Sequence, residues 1–171
     1  MFNMRSLVLV LAVIVLAAAN THAQNKFANY NNERFAYSIQ YPSDLLKMQA
    51  PPENGDGRSF VSADGSTRML VWGEYNAAEK TWQEEYEFEL KGFGSKPTYT
   101  VFKPGWFVIS GLKDGKIFYQ KTLRRTLRQK SGNLDVFYTF TIEYPRSASL
   151  KMDPIVKRIS ASFKFDSTAD V

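Results

Sequence analysis

The run LDVFYTFTIEYP, residues 134–145, is the feature that most constrains the fold. Leu134, Val136, Tyr138, Phe140, Ile142 and Tyr144 share one side of an extended chain, which is the two-residue period of a strand with one buried face. Earlier in the chain FAYSIQYP, residues 35–42, obeys the same rule, with Phe35, Tyr37, Ile39 and Tyr41 on one side and a proline exit. The two stretches are not halves of a duplication. Pro51-Pro52 and turns follow the first, whereas a helical pattern follows the second, so the echo marks core strands and not a repeat.

Between and around them the chain reads as antiparallel hairpins. A short apolar patch, LLKMQ, predicts a brief strand before Pro51, and RSFVS and TRMLVWGEY flank a turn at Asp64-Gly65. TYTVFK, GWFVISG and KIFYQKTL return to strand composition, the last two joined through Asp114-Gly115. The period changes twice. Trp82, Tyr86, Leu90 and Phe93 recur at helical spacing, so a helix is predicted over roughly 77–91, with Asn76 and Glu79 as its capping box and Gly92 and Gly94 as its stop. A second helix is predicted to open with Asp153 as N-cap and Pro154 at the first position, with Ile155, Val156, Ile159 and Phe163 on its stripe. The expected architecture is α+β: one twisted antiparallel sheet with both helices packed against it.

The N-terminus bears on compartment. Arg5 precedes an apolar run from Leu7 to Ala19, followed by small residues ending at Ala23, the pattern of a secretory leader cleaved after residue 23. The run is short for a bilayer span, and with no cysteine in the chain there is no acceptor for a bacterial lipid anchor. A soluble periplasmic or secreted product is expected, without a transmembrane anchor after processing. Its length would be 171 − 23 = 148 residues and its formal charge, without Arg5, 21 − 17 = +4. Residues 24–33 are polar and without period and read as a flexible arm, 34–165 as a single domain, and 166–171 as a disordered tail.

Cleavage would also remove His22, the only histidine. A product without His or Cys has no thiol nucleophile, no imidazole base and no usual ligands for zinc, copper or haem. Carboxylate, lysine or tyrosine chemistry, oxygen-ligated cations and plain binding remain. No cofactor is expected.

Four constellations are candidates for function. The stretch 116–133 carries Lys116, Lys121, Arg124, Arg125, Arg128 and Lys130 and no acid, which reads either as an anion-binding strand centred on Lys121, Arg124, Arg125, Arg128 and Lys130 or as lysines and arginines guarding a sheet edge. Glu53 to Gly57 with Ser62 and Asp64 offers oxygen ligands on glycine turns, but lacks the calcium-loop spacing and reads as hairpin turns. Of the acidic run, only Glu85 and Glu89 share a side, and a solvated helix face is expected. Trp72, Tyr99, Trp106 and Tyr119 could line an aromatic cleft. Nucleic acid is a poor partner for so modest a charge with no recognition motif.

The order of elements also carries a resemblance. The strand ending in YP, NGDGRSF, SADGS, a helix, GWFVISG with DGKIFY, a second strand ending in YP and the closing DPIVKRISASF resemble small exported bacterial proteins of unassigned activity with a PsbP-like fold. That fold is shared by the extrinsic photosystem subunit, DcrB-type envelope proteins and a Ran-binding factor. The resemblance spans nearly all of residues 34–165. It implies a non-catalytic binding or assembly module, names no ligand and carries no active-site residue across; the basic strand is what points to an anionic envelope component or an acidic protein as partner. A small carboxylate-dependent hydrolase is the alternative.

Overall fold

A computed structural model of the protein describes residues 25–94, 96–130 and 132–168. The leader expected over 1–23 and residues 169–171 of the expected tail lie outside the described residues. Ten strands and two α-helices are described: β1 (Phe27–Asn32), β2 (Tyr37–Pro42), β3 (Leu46–Met48), β4 (Gly57–Ser62), β5 (Arg68–Tyr75), α1 (Trp82–Gly92), β6 (Tyr99–Lys103), β7 (Trp106–Lys113), β8 (Lys116–Gln129), β9 (Gly132–Pro145), α2 (Ser149–Ser162) and β10 (Lys164–Phe165). The class is α+β, as the hairpin grammar predicts.

The strands form two antiparallel sheets, not one. The larger has the order β3-β4-β5-β9-β8-β7-β6 and the smaller β1-β2-β10. The split arises at Pro42, where a turn closed by Leu45 N–H donating to the Pro42 carbonyl at 3.0 Å sends the chain from β2 into β3 of the other sheet. The stretch 24–33, read from composition as a loose arm, instead supplies β1, which pairs with β2 from Phe27↔Pro42 to Asn32↔Tyr37. Its polar look is deceptive because the inward Asn32 is buried and bonded, its Nδ2 to the Gly55 carbonyl at 2.9 Å and its Oδ1 to Phe35 N at 2.9 Å. The expected tail is described through Thr168, with Asp166 N–H bonded to the Ala36 carbonyl at 2.8 Å.

β9 lies at the centre and feeds two cores. Val136, Tyr138, Phe140, Ile142 and Tyr144 point to one face and meet Tyr37 and Ile39 of β2, Phe60, Met69 and Val71 of β4 and β5, and Ile155, Ile159 and Phe163 around α2. On the opposite face Phe137 joins Trp82, Phe93, Phe107 and Ile109 in a smaller core beneath α1. The helices therefore cover opposite faces of the large sheet. The described strands, helices and both cores are built from residues 27–165, so a chain beginning at Gln24 retains all of them.

Both helices start elsewhere than their sequence signals suggest. The box at the head of α1 is Thr81 with Glu84: Thr81 Oγ1 accepts from Glu84 N at 3.2 Å, and Glu84 Oε2 accepts from Thr81 N at 2.7 Å. Asn76 instead ties the preceding loop, accepting from Lys80 N at 3.0 Å, while Glu79 sits at φ 52°. The later start places Trp82 in the first turn, where it is buried and its indole N–H reaches the Lys103 carbonyl at 2.7 Å. In α2, Asp153 and Pro154 are internal; a 3-10 turn, Arg146–Ala148, leads in. Asp153 accepts the Tyr144 hydroxyl at 2.8 Å and so is drawn to the sheet and away from a capping role. The carbonyl that Pro154 leaves unpaired belongs to Leu150, the most exposed apolar side chain described, at 95%.

Asp114 and Gly115 take φ of 50° and 77°, the paired left-handed residues of a tight hairpin, as Asp-Gly predicts. Gly73 has a different task. A Cβ there would lie 2.6 Å from Cγ of Phe35, so the strand must be bare where the β1–β2 loop packs across it. Gly73→Ala is expected to displace Phe35 and lower stability by about 1–3 kcal/mol in denaturant unfolding, whereas an unchanged midpoint would mean that this contact is not made.

Candidate functional site

The basic strand does not assemble into one surface. Successive residues of β8 alternate between the faces of the sheet, so Lys121 and Arg125 lie on the α2 side and Arg124 and Arg128 on the α1 side. Lys121 Nζ donates to the Ser160 carbonyl at 2.7 Å, and burial pushes its ammonium pKa down. Arg125 donates to the Ser167 carbonyl at 3.2 Å and lies against the Phe165 ring. Arg124 is bound to Asp135, with Nη2 2.7 Å and Nε 2.8 Å from Oδ2. Arg128 and Lys130 are exposed near the hairpin tip. Three of the five candidate residues are thus engaged in holding the fold.

Edge protection also needs correction. From Lys116 to Leu123, β8 is interior, paired with β7 on one side and β9 on the other. Beyond Leu123 only β9 remains as a strand partner, so Arg125 to Gln129 alone run along a free edge.

The calcium candidate separates in space. The 53–57 and 63–66 turns lie at opposite ends of β4. Asp64 is spent on its own turn, accepting from Ser62 Oγ at 2.5 Å, Ser66 Oγ at 2.8 Å and Ser66 N at 3.0 Å, which together hold its carboxyl pKa down at about 2.

The acidic run is not a solvated face throughout. Glu84 closes the capping box with Thr81, but Glu85 is 2% exposed and ion-paired with Lys80, and Glu89 accepts from Gln120 Nε2 at 2.8 Å. Residues 82, 85, 86, 89, 90 and 93 form one helical stripe, so these two carboxylates belong to the flank of the surface that packs on the sheet. Burial raises the Glu89 pKa, with the carboxylates of Glu85 and Glu74 adding to the effect and the Gln120 bond opposing it.

The aromatic candidates divide three to one. Tyr99, Trp106 and Tyr119 share the α2 face, by the registers Tyr99↔Ser110, Ser110↔Tyr119 and Trp106↔Leu123, whereas Trp72 lies on the other. On the α2 face a groove of about 390 Å³ is walled by Tyr99, Tyr119 and Tyr144 from the sheet and by Asp153, Lys157 and Ser160 from the helix. Tyr119 and Ser160 hydroxyls are 2.9 Å apart, and burial raises the pKa of Tyr119 and, together with the Asp153 bond, that of Tyr144. Both phenols are therefore fixed, neutral hydrogen-bonding groups at ordinary pH. Trp106 adds an exposed ring with Lys121 Nζ 5.8 Å from its centroid. Sequence reasoning missed the helical wall; the i, i+4, i+7 spacing of Asp153, Lys157 and Ser160 was the available signal. A second hollow, about 510 Å³, lies on the other face between Pro51-Pro52 and Leu70 with Trp72.

An antiparallel seven-stranded sheet covered on one face by α1 and on the other by α2 with a small second sheet is the PsbP-like arrangement. The solution structure of cyanobacterial PsbP (CyanoP) from Synechocystis sp. PCC 6803 is similar over 88% of this chain and 99% of its own, with a TM-score of 0.54 and 11% identity. At that identity the likeness is one of fold. No protein-family model matches the sequence, and no curated protein matches it.

Raised by burial, the Glu89 carboxyl holds its proton more tightly in the folded chain than in the unfolded one. Its contribution favours folding at pH below the folded pKa and is lost as pH rises through that value. Glu89→Gln, which keeps an acceptor for Gln120, is expected to raise the thermal midpoint at neutral pH and leave it unchanged below the carboxylate range. Equal effects at both pH values would contradict the assignment.

Proposed function

We propose that the chain is an exported, non-catalytic binding module of the bacterial envelope, and that its partner enters the tyrosine-walled groove between the sheet and α2 and presents an anionic group to the basic side of that helix. The observation that carries this reading is the groove itself, built by β6, β7, β8, β9 and α2 together, with a rigid aromatic wall facing Lys157 and Ser160. Tyrosines supply large contact area at small entropic cost, and a lysine at the rim selects charge. Lys151, Lys157 and Arg158 are exposed along α2, and Arg158 also lies over the Phe27 ring at 3.9 Å. The cationic site moves from the strand named by the sequence to this helix, with Lys121 at its margin.

Support for a non-catalytic role comes from chemistry. Residues 24–171 include no imidazole and no thiol. Glu84, Glu85 and Asp153 are committed to a capping box, an ion pair and a phenol, which are structural duties. Localisation rests on the leader pattern.

The test uses the chain from Gln24 immobilised and challenged with bacterial envelope extract. The expected outcome is a partner released by moderate salt and held about tenfold less by a Tyr99→Ala, Lys157→Gln variant whose melting midpoint stays within about 2 °C. Equal retention by wild type and variant would remove the groove from the mechanism.

One observation favours a carboxylate-dependent hydrolase, namely a Glu89 of raised pKa beside the buried Glu85. Turnover in a broad hydrolase screen, abolished by Glu89→Gln in a folded protein, would establish that reading; activity independent of Glu89 would not.

A further inference from the structure

One end of the fold carries two exposed leucines inside a group of cations. There the β7–β8 turn meets the junction from β9 into α2: Lys116 is in register with Pro145, and Arg146 N–H donates to the Gly115 carbonyl at 3.4 Å. Leu112 is 41% exposed and Leu150 is 95% exposed. They belong to the same region. Leu112 stands opposite Ile117, and Ile117 opposite Tyr144, in one row on the α2 face. Tyr144 in turn bonds Asp153, one helical turn beyond Leu150. Arg146 and Lys151 are exposed at the α2 side of this end, and Lys113, exposed, and Lys116, half exposed, flank the turn on the opposite face of the hairpin. The acids present are Asp114 in the turn, Glu143, whose Oε1 is 3.9 Å from Lys116 Nζ, and Asp153, which accepts the Tyr144 hydroxyl.

From this geometry we infer that the end of the molecule built by Leu112, Lys113, Lys116, Arg146, Leu150 and Lys151 rests on the surface of an anionic phospholipid bilayer, the leucines entering the boundary between headgroups and acyl chains. Leu150 occupies a position where a polar residue would serve the helix equally well, and nothing described packs on it. A protein partner would need a concave surface shaped to a protruding turn and helix start, whereas a bilayer yields to any small apolar projection. Cations set around the projection match the phosphate plane just above the acyl chains, the arrangement by which peripheral proteins combine apolar insertion with headgroup attraction. The surface adjoins the groove, which shares Ile117, Tyr144 and Asp153 with this row, but Leu112 and Leu150 lie outside the groove lining, so Leu150→Asp reads this surface alone and the Tyr99→Ala, Lys157→Gln variant reads the groove.

Vesicle co-sedimentation tests it, using the chain from Gln24, which lacks the apolar run at 7–19. At low salt the protein is expected to sediment with phosphatidylcholine vesicles containing phosphatidylglycerol and to stay in solution with phosphatidylcholine alone. Lys151→Glu is expected to cut partitioning about tenfold, and Leu150→Asp to cut it comparably, with melting midpoints unchanged because both side chains are exposed. Lys91→Glu, the same change of charge on α1, is expected to leave partitioning near wild type. The inference is overturned by absence of binding to the anionic vesicles, by equal binding to neutral ones, by wild-type binding of Leu150→Asp, or by Lys91→Glu acting as strongly as Lys151→Glu.

Discussion

The pairing of β8 with β9 along their whole length, from Lys116↔Pro145 to Gln129↔Gly132, is the constraint on which the rest depends. It sets β9 in the middle of the large sheet and thereby decides which of its side chains enter which core. A slip of one residue would exchange the two faces, sending Phe140 and Ile142 to the α1 side and Thr139 and Thr141 into the larger core. Register is guarded at the centre by polar groups as well as apolar ones. The hydroxyls of Thr122 and Thr139 are 3.0 Å apart and buried, so a shifted pairing would break the bond that joins the two strands there. The two helices are then placed by the faces this register defines.

What sequence could show follows from that hierarchy. Alternation identified β2 and β9, and the Asp-Gly pairs located the β4–β5 and β7–β8 hairpins, because these signals are local. β1 escaped because its inward positions are Tyr30 and Asn32, and a buried asparagine breaks the apolar alternation on which such a reading relies. The start of α1 was ambiguous between Asn76 with Glu79 and Thr81 with Glu84, which satisfy the same spacing. Burial of Trp82, a tertiary event, chose between them. The start of α2 was misplaced for a related reason: Tyr144 claims the carboxylate that would otherwise have capped.

The candidate site was less legible. A run of basic residues along a strand is one feature in sequence and two in space, since neighbours diverge to opposite faces. Lys121 and Arg124 illustrate this, one reaching Ser160 on α2 and the other Asp135 beneath α1. The charge contrast that survives folding is between the helices, with Glu84, Glu85, Glu87 and Glu89 on α1 and Lys151, Lys157 and Arg158 on α2. The groove escaped for the same geometric reason: its walls come from segments far apart in the chain, and only the sheet order brings Tyr99 and Lys157 together.

The small sheet has a temporal consequence. β2, among the first strands made, takes one neighbour from β1 and the other from residues 164–165, and its Gln40 amide bonds Ser162 near the end of the last helix. A polypeptide delivered start first, whether from a ribosome or through a pore, holds its Tyr37 and Ile39 without their lid until the closing segment is released. Completion of the small sheet is thus deferred until residues 162–165 are at hand.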